Sequence, residues 1–173
     1  MINLFQLVAE KLIDKAKQTP YTPLEGYMER YWLLPYSKFR PAARIHHILR
    51  SDDDRAFHDH PWPYVTVILF GGYFEVKPVY DKSGIYVGNS RKWYGPGSVL
   101  FRRSCSWHRL ELPEGKSAWT LFVTGRYTRK WGFMPNPATK VEHTEYLNEP
   151  ESPYLIGGEN NVQPAVSTEG VSN

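Results

Sequence analysis

The 173-residue sequence contains one cysteine, Cys105, and only a small excess of positive charge. One cysteine excludes an internal disulfide framework, and this scarcity fits a reducing compartment. Twenty-one basic and eighteen acidic side chains give a net charge of +3, dispersed along the chain, which does not indicate nucleic-acid binding. No apolar run reaches the roughly 18 residues of a membrane span, and the N-terminus lacks the pattern of a secretion signal. We therefore expect a cytoplasmic protein without nucleic-acid or membrane partners.

Aromatic residues, in contrast, are abundant: they make up 15% of the chain and include six Trp and twelve Tyr. Such side chains favour β-strands and ring-lined pockets over helical bundles. From residue 42 onward, short apolar runs alternate with turns rich in Gly, Pro and Asp, which predicts about eight strands in an antiparallel sandwich or barrel. The predicted strands are ARIHHILR, YVTVILFG, YFEVKPVY, IYVGNSRKWY, SVLFRR, WHRLEL, SAWTLFVTG and TKVEHTEYL.

The two ends of the chain differ from this β-rich part. Apolar side chains at near-helical spacing predict one amphipathic helix within residues 3–17, and four prolines in residues 20–41 predict irregular or short extended structure. The apolar positions of the predicted helix are Leu4, Leu7, Val8 and Ile13. The predicted divisions are a helix and lead-in over residues 1–41, a barrel over 42–147 and a polar tail over 148–173.

Two histidines stand one residue apart in the stretch FHDHPWPY. Side chains at i and i+2 of an extended strand project from the same face, so His58 and His60 can bind one ion together. In WHRLEL, the alternation places His108 on the side of the apolar Leu110, toward the interior. Alone, the pair is more often part of an edge strand, and a single inward histidine is more often a hydrogen-bonded core residue. Together they predict a metal site.

These stretches resemble the cupin superfamily, whose fold is an RmlC-like jelly roll. HDHPWPYVTVILFGG matches the His-x-His and the later glycine of the first cupin motif, and GPGSVLFRRSCSWH matches the Pro-x-Gly turn, strand and histidine of the second. Small phage and bacterial cupin-like proteins carry a similar HDHPW stretch. The resemblance covers about residues 42–146. It implies an all-β fold, an antiparallel double-stranded β-helix, preceded here by the amphipathic helix.

The sequence departs from the cupin pattern at one position. The glutamate of the first motif would fall at Tyr64 or Val65, and neither is a carboxylate. The resemblance therefore implies a three-histidine site of His58, His60 and His108, as in cupins similar to the thiol dioxygenases, an unusual fourth ligand, or a site without metal. The implied cofactor is one divalent transition metal, with Fe(II) favoured and Zn, Ni or Mn as alternatives. Tyr64 is a candidate to hydrogen-bond a bound ligand.

Arginines near both motifs indicate a substrate with negative charge, because the planar guanidinium binds carboxylate or phosphate through two parallel hydrogen bonds. Arg44 and Arg102 are the candidates for substrate binding, although a solvated, ion-paired arginine is the commoner case. His46 and His47 face opposite sides of one strand, so at most one of them faces the barrel interior. His46 is the candidate for contact with substrate.

The resemblance implies a metal-dependent oxygenase, such as an Fe(II)-dependent dioxygenase, that acts on a small polar or anionic molecule. Its catalytic residues would be His58, His60, His108 and Tyr64. Two other functions stay open: a sugar-nucleotide epimerase or isomerase that needs no metal, and a non-catalytic protein that binds a small molecule. The fold does not decide among them. The aromatic strands and the N-terminal helix would suit a homodimer, and the oligomeric state stays open.

Overall fold

The computed structural model describes residues 3–35, 41–52, 56–136 and 139–148. The predicted polar tail beyond residue 148 lies outside these ranges. Within them the chain forms two helices and twelve strands. These elements are α1 (Leu4–Ala16), β1 (Pro20–Leu24), β2 (Met28–Leu34), β3 (Ala42–Ile48), β4 (Phe57–His58), β5 (Tyr64–Gly71), β6 (Tyr73–Tyr80), β7 (Tyr86–Tyr94), β8 (Val99–Arg102), β9 (Arg109–Glu111), β10 (Ala118–Thr124), β11 (Gly132–Asn136), β12 (Thr139–Glu142) and α2 (His143–Leu147).

The strands form two walls, and paired strands within each wall run antiparallel. One wall is a six-stranded sheet in the order β1-β2-β3-β10-β5-β8, and the other consists of two three-stranded sheets, β12-β11-β4 and β7-β6-β9. A backbone bridge between His58 and His108 joins β4 to the residue that precedes β9, which makes the second wall continuous. The predicted all-β, antiparallel double-stranded β-helix with an N-terminal helix is confirmed.

The main apolar core lies between the walls. Along β10 every second residue is buried, as expected for a strand with one face toward a core. Residues of both walls meet in one cluster, so each wall covers the inner face of the other. The buried members of this cluster are Tyr27, Met28, Ile48, Ile68, Tyr73, Leu100 and Ala118.

The chain passes from the first wall to the second at Gly71, the last residue of β5, and Gly72, which precedes β6. Their φ angles are 69° and 150°, and residues with a Cβ rarely adopt backbone angles in this region. A Cβ at Gly71 would also overlap the backbone carbonyl of Ser117, next to β10. The glycine thus lets two strands approach closely where the chain changes walls.

Helix α1 packs on the outer face of the six-stranded sheet. It begins with a capping box, in which the Asn3 side chain accepts from the backbone N–H of Gln6 and the Gln6 side chain accepts from the backbone N–H of Asn3, both at 2.9 Å. Small and branched side chains fill the contact with the sheet. The buried residues of this cluster are Ala9, Ile13, Ala16, Ile45 and Leu69.

The predicted helix is confirmed, but its buried face differs from the predicted one. Only Ile13 of the four predicted apolar positions is buried, whereas Leu4, Leu7 and Val8 are exposed. Ala9 and Ala16 take their place against the sheet, because small side chains let the helix approach closely. Neither helix of the described residues has the length and hydrophobicity needed to cross a lipid bilayer.

The structure contains strands that the sequence pattern did not indicate. The lead-in supplies β1 and β2, which pair with each other and, through β2, with β3. The stretch TKVEHTEYL, predicted as one strand, is β12 only as far as Glu142 and then becomes α2, so this prediction is wrong in its second half. His143 stacks on Trp131 with ring centroids 4.6 Å apart, which favours the turn into the helix. The domain boundaries stay a prediction.

We expect Gly71→Ala to destabilise the fold by about 2–3 kcal/mol, because strain at positive φ adds to the overlap with Ser117. Gly84→Ala is the matched control. Gly84 also has a positive φ, 78°, but no atom lies within 4 Å of the added Cβ. This variant should therefore lose only about 1 kcal/mol of unfolding free energy. Urea unfolding of both variants measures the difference. Equal losses would show that the approach of β5 to β10 does not require glycine.

Candidate metal centre

His58, His60 and His108 meet at the inner face of the second wall. Each offers one imidazole nitrogen, and the three nitrogens lie within 4.8 Å of one another. The ring centroids of His58 and His108 are 4.6 Å apart, and those of His60 and His108 are 5.2 Å apart. The structure thus brings together the three histidines that the sequence singled out.

Backbone hydrogen bonds set the spacing of these three histidines. The His58 N–H donates to the carbonyl of His108 at 2.9 Å, and the His108 N–H donates to the carbonyl of His58 at 3.1 Å. The His60 N–H donates to the carbonyl of Ser104 at 3.1 Å, which ties the histidine pair to the turn before His108. Paired residues of an antiparallel bridge lie side by side, so the bridge places two imidazoles on one face.

Asp59 locks the histidine pair from the opposite side. Its side chain is fully buried, and its Oδ1 accepts from the backbone N–H of Gly132 at 2.8 Å. Arg129 donates to Oδ2 at 2.6 Å. Because neighbouring side chains of an extended segment alternate, anchoring Asp59 outward holds His58 and His60 inward.

Burial keeps the imidazoles of His60 and His108 neutral. Desolvation, with the nearby His58 as the second cause, lowers the pKa of His108 to about 3. Desolvation, followed by the charges of His108 and His58, likewise lowers the pKa of His60 well below its usual range. The Nδ1 of His108 lies 3.1 Å from the carbonyl oxygen of Ser106. The N–H on Nδ1 donates to that oxygen, which leaves Nε2 with a free lone pair.

Asp52 is a supporting residue that the sequence pattern did not single out, because its SDDD stretch had the composition of a turn. Its side chain is buried, and Oδ2 lies 4.0 Å from Nδ1 of His58. The same oxygen accepts from the backbone N–H of Leu110 at 2.8 Å. At this distance the negative charge of Asp52 acts on the imidazole through space rather than through a hydrogen bond between these two atoms.

Tyr64 stands beside the triad, at one of the two positions, Tyr64 or Val65, where the glutamate of the cupin motif would fall. Its hydroxyl lies 3.3 Å from Nδ1 and 3.4 Å from Nε2 of His108, and its ring centroid is 4.6 Å from that of His60. Burial, and then the charge of Glu75, raises the pKa of Tyr64 well above its usual range. Tyr64 therefore stays a neutral phenol that can donate a hydrogen bond.

The three histidines fit a divalent transition metal. Neutral imidazole is a ligand for zinc, copper, iron and nickel, and metal–nitrogen distances of about 2.1 Å require donors that converge on one point. The donors here converge within 4.8 Å and face the cavity between the walls. Three ligands leave coordination positions for water or substrate, which is typical of catalytic rather than structural sites.

The cavity beside the triad has a volume of about 270 Å³, the scale of a small metabolite. Side chains from both walls line it, so its shape depends on the packing of the whole barrel. The triad, Arg44, His46, Arg102 and Tyr64 all contribute to its lining.

Arg102, a predicted substrate-binding residue, is bonded to a neighbouring acid. Its Nε donates to Oε1 of Glu75 at 2.8 Å, and its Nη2 donates to Oε2 of Glu75 and to the hydroxyl of Tyr94. Glu75 is buried and also lies 3.3 Å from Nζ of Lys77. Because a carboxylate already pairs with the guanidinium, this geometry does not favour Arg102 as the anion-binding residue. Its role stays a prediction.

Arg44 and His46 lie on the inner face of β3 and line the cavity. The Arg44 guanidinium stacks over the ring of Trp32, with its carbon 4.5 Å from the centroid. The His46 ring stacks on Phe122 with centroids 4.9 Å apart.

His47 lies on the opposite face of β3, as the alternation of side chains along the strand predicts. There its Nδ1 lies 2.8 Å from Oε2 of Glu29, and its Nε2 lies 3.1 Å from the hydroxyl of Ser117. Its ring stacks on Trp119 with centroids 4.0 Å apart. His46 is therefore the histidine of the pair that can contact a ligand in the cavity.

No family model and no curated protein matches the sequence. Solved structures with a similar backbone include the polyketide cyclase RemF from Streptomyces resistomycificus, with a TM-score of 0.48 and 16% identity over 77% of this chain and 87% of that one. A cupin 2 conserved barrel domain protein from Rhodopseudomonas palustris has a TM-score of 0.46 and 13% identity, covering 66% and 74%. Hydroxypropylphosphonic acid epoxidase from S. wedmorenis has a TM-score of 0.47 and 15% identity, covering 64% and 56%.

Similar backbones thus include a cupin barrel domain protein and a protein with a double-stranded β-helix domain. The match spans only about half of the epoxidase chain. At such TM-scores and identities the likenesses do not bear on the activity of this chain, and its fold assignment rests on the strand pairing.

We expect the purified protein to hold about one equivalent of a divalent transition metal and His60→Ala to hold none, because two imidazoles do not retain the ion. His47→Ala is the matched control, since His47 lies on the opposite face of β3. Elemental analysis measures the metal, and circular dichroism verifies the fold of both variants. Retention of metal by a folded His60→Ala protein would show that the site is assigned wrongly.

We expect the metal-free protein to lose stability as the pH falls from 7.5 to 5.5. His46, His60 and His108 have lowered pKa values when folded, so the unfolded chain binds more protons below about pH 6.5. For each histidine that stays neutral in the folded protein, the free energy of unfolding should fall by about 1.4 kcal/mol per pH unit below pH 6.5.

The measurement is urea unfolding of the chelator-treated protein at several pH values. His46→Gln should show a shallower dependence, because one titrating group is removed. A free energy of unfolding that is constant across this range would contradict the burial of neutral imidazoles.

Proposed function

We propose that the protein is a mononuclear metal-dependent oxygenase that acts on a small polar or anionic substrate. The observation that carries the proposal is the convergence of three histidine donors on a cavity of metabolite size. The proposed metal ligands are His58, His60 and His108. Among the described residues, no carboxylate or thiol joins the three histidines in one cluster of possible ligands. The nearby carboxylates of Asp52, Asp59 and Glu75 accept hydrogen bonds from other groups.

Iron(II) is the proposed metal because the proposed function is an oxygenase. Iron(II) held by the three histidines would have open coordination positions for dioxygen and a chelating substrate, whereas zinc would activate water. The surrounding residues favour chemistry that excludes bulk water. Tyr64 and His108 are buried, and the apolar ring of Phe122 lies beside both His60 and Tyr64, with centroids 5.8 and 4.8 Å apart. Such walls strengthen the electrostatic interactions made inside the cavity.

Tyr64 is proposed to donate a hydrogen bond to a ligand bound beside the triad. The phenol is neutral, and its hydroxyl faces the imidazole of His108. A donor held by packing before the ligand arrives can stabilise negative charge that develops during a reaction, without reorganisation. A glutamate at Tyr64 or Val65, as the cupin motif has it, would be an additional anionic ligand, whereas Tyr64 would supply a hydrogen-bond donor.

The proposed setting is the cytoplasm, with a small molecule as the only required partner. A homodimer is proposed as the assembly, in keeping with the exposed apolar side chains of α1, among them Leu4 and Val8. Size-exclusion chromatography with light scattering distinguishes a dimer from a monomer. Elution as a monomer at all accessible concentrations would contradict the dimer without affecting the metal site.

We expect metal-free protein reconstituted anaerobically with Fe(II) to consume dioxygen when a panel of small carboxylates is supplied, and protein reconstituted with Zn(II) not to do so. An oxygen electrode and product analysis provide the measurement. The His58→Ala/His108→Ala variant is the control for free iron chemistry. In the same assay, Tyr64→Phe should keep its metal and lose turnover by about 10²- to 10³-fold, the effect of removing one positioned donor.

The other outcomes identify other functions. Turnover of a sugar nucleotide by metal-free protein would replace the oxygenase with a metal-independent epimerase or isomerase. Tight binding of a panel member without turnover under either metal would indicate a binding protein. Dioxygen consumption equal in the wild type and the double variant would remove the evidence for an iron site.

A further inference from the structure

Four residues that line the cavity each have a buried nitrogen atom without a hydrogen-bond partner. The indole Nε1 of Trp131, whose ring stacks on His143, is one of these atoms, and three others remain. They are Nε of Arg44, Nε2 of His46 and the indole Nε1 of Trp62, and none of the residues that the structure describes bonds to them. The three residues are each 7–8% exposed and all line the cavity. Buried polar groups in folded proteins are nearly always paired, so these unpaired nitrogens around one cavity indicate a ligand.

The hydrogen-bonding capacity of Arg44, His46 and Trp62 defines the chemistry of this ligand. Arginine and indole nitrogens only donate hydrogen bonds, and a neutral imidazole can donate from one nitrogen. Aromatic rings cover the Arg44 guanidinium, with its carbon 4.5 Å from the Trp32 centroid and 5.4 Å from that of Trp62. The edge of the guanidinium, which carries its N–H groups, is the part available for bonding. The ligand must therefore present acceptors.

Charge identifies the acceptor as an anion. Desolvation lowers the pKa of Arg44 to about 10, and the charged groups that act on it are Tyr21 and Arg30, neither of which is a carboxylate. A buried guanidinium without an acid is costly. Arg102, across the cavity, shows the contrast, because Glu75 already pairs with it. One unpaired positive charge with a planar edge matches one carboxylate.

We propose that Arg44, Trp62 and His46 form an oxyanion subsite that binds the carboxylate of the substrate. The subsite lies in the same cavity as the triad. Phe122 lies beside both His46 and His60, with ring centroids 4.9 and 5.8 Å apart. A substrate bound at both places would lie along the Phe122 ring. The substrate class is therefore a small carboxylic acid with a short apolar middle part.

That the bound acid is a substrate rests on the proposed function, whereas the anion subsite itself needs no metal. The experiment is therefore done on the wild type and on the metal-free His58→Ala/His108→Ala variant. Side-chain N–H signals are recorded by ¹H–¹⁵N NMR during titration with sodium benzoate, sodium succinate or inorganic phosphate at constant ionic strength. The Arg102 Nε–H signal is the internal control, because its hydrogen bond to Glu75 at 2.8 Å is already made.

We expect saturable shifts of the Arg44 Nε–H and Trp62 indole signals with a carboxylate, in both proteins, while the Arg102 signal stays in place. Arg44→Met should weaken carboxylate binding about tenfold or more, the effect of removing a charge-assisted hydrogen bond. Arg44→Lys keeps the charge and should weaken it less. If Arg44→Met does not fold, the wild-type shifts decide the result.

Saturation by phosphate alone would overturn the carboxylate assignment. Shifts that sodium chloride reproduces, or the absence of saturable shifts with every probe, would overturn the subsite and leave Arg44 as part of a structural aromatic cage. Carboxylate binding in the metal-free variant together with no dioxygen consumption by the iron form would retain the subsite and remove the oxygenase.

Discussion

The backbone bridge between His58 and His108 is the interaction on which both the fold and the site depend. It joins two three-stranded sheets into one wall opposite the six-stranded sheet. The same pair of hydrogen bonds places two imidazoles on one face, where His60 completes the triad. A disturbance of this bridge would open the second wall and separate the ligands at once, because one contact serves both purposes.

Buried polar groups on the two sides of the histidine segment differ in whether they make hydrogen bonds. Outside the cavity, Asp59 is fully bonded to Gly132 and Arg129, so it holds the backbone rigidly. Inside, Arg44 and Trp62 carry donors that no described residue accepts from. Complete satisfaction is typical of structural positions, whereas unsatisfied buried donors occur where a ligand completes the network. Asp59 therefore supports the site, whereas Arg44 and Trp62 are the residues that the proposed ligand would contact.

Two arginines of the cavity wall illustrate how local partners decide the role of a charge. Arg102 shares the buried Glu75 carboxylate, and this pairing raises its pKa above the usual range. Arg44 lies among aromatic rings, and desolvation lowers its pKa. The sequence did not distinguish Arg44 from Arg102 as substrate-binding candidates. Neighbours along the chain do not reveal which acidic residue lies across the barrel.

The sequence by itself determined the all-β architecture, the N-terminal helix and the inward direction of His58, His60 and His108, since these follow from local alternation and spacing. Tertiary structure alone decided the rest. The pairing of β1 and β2 with β3, the place of Asp52 beside His58 and the bond between Arg102 and Glu75 all join residues distant in sequence. Periodicity reports which face a side chain takes, whereas the partner across the barrel depends on how the walls pack.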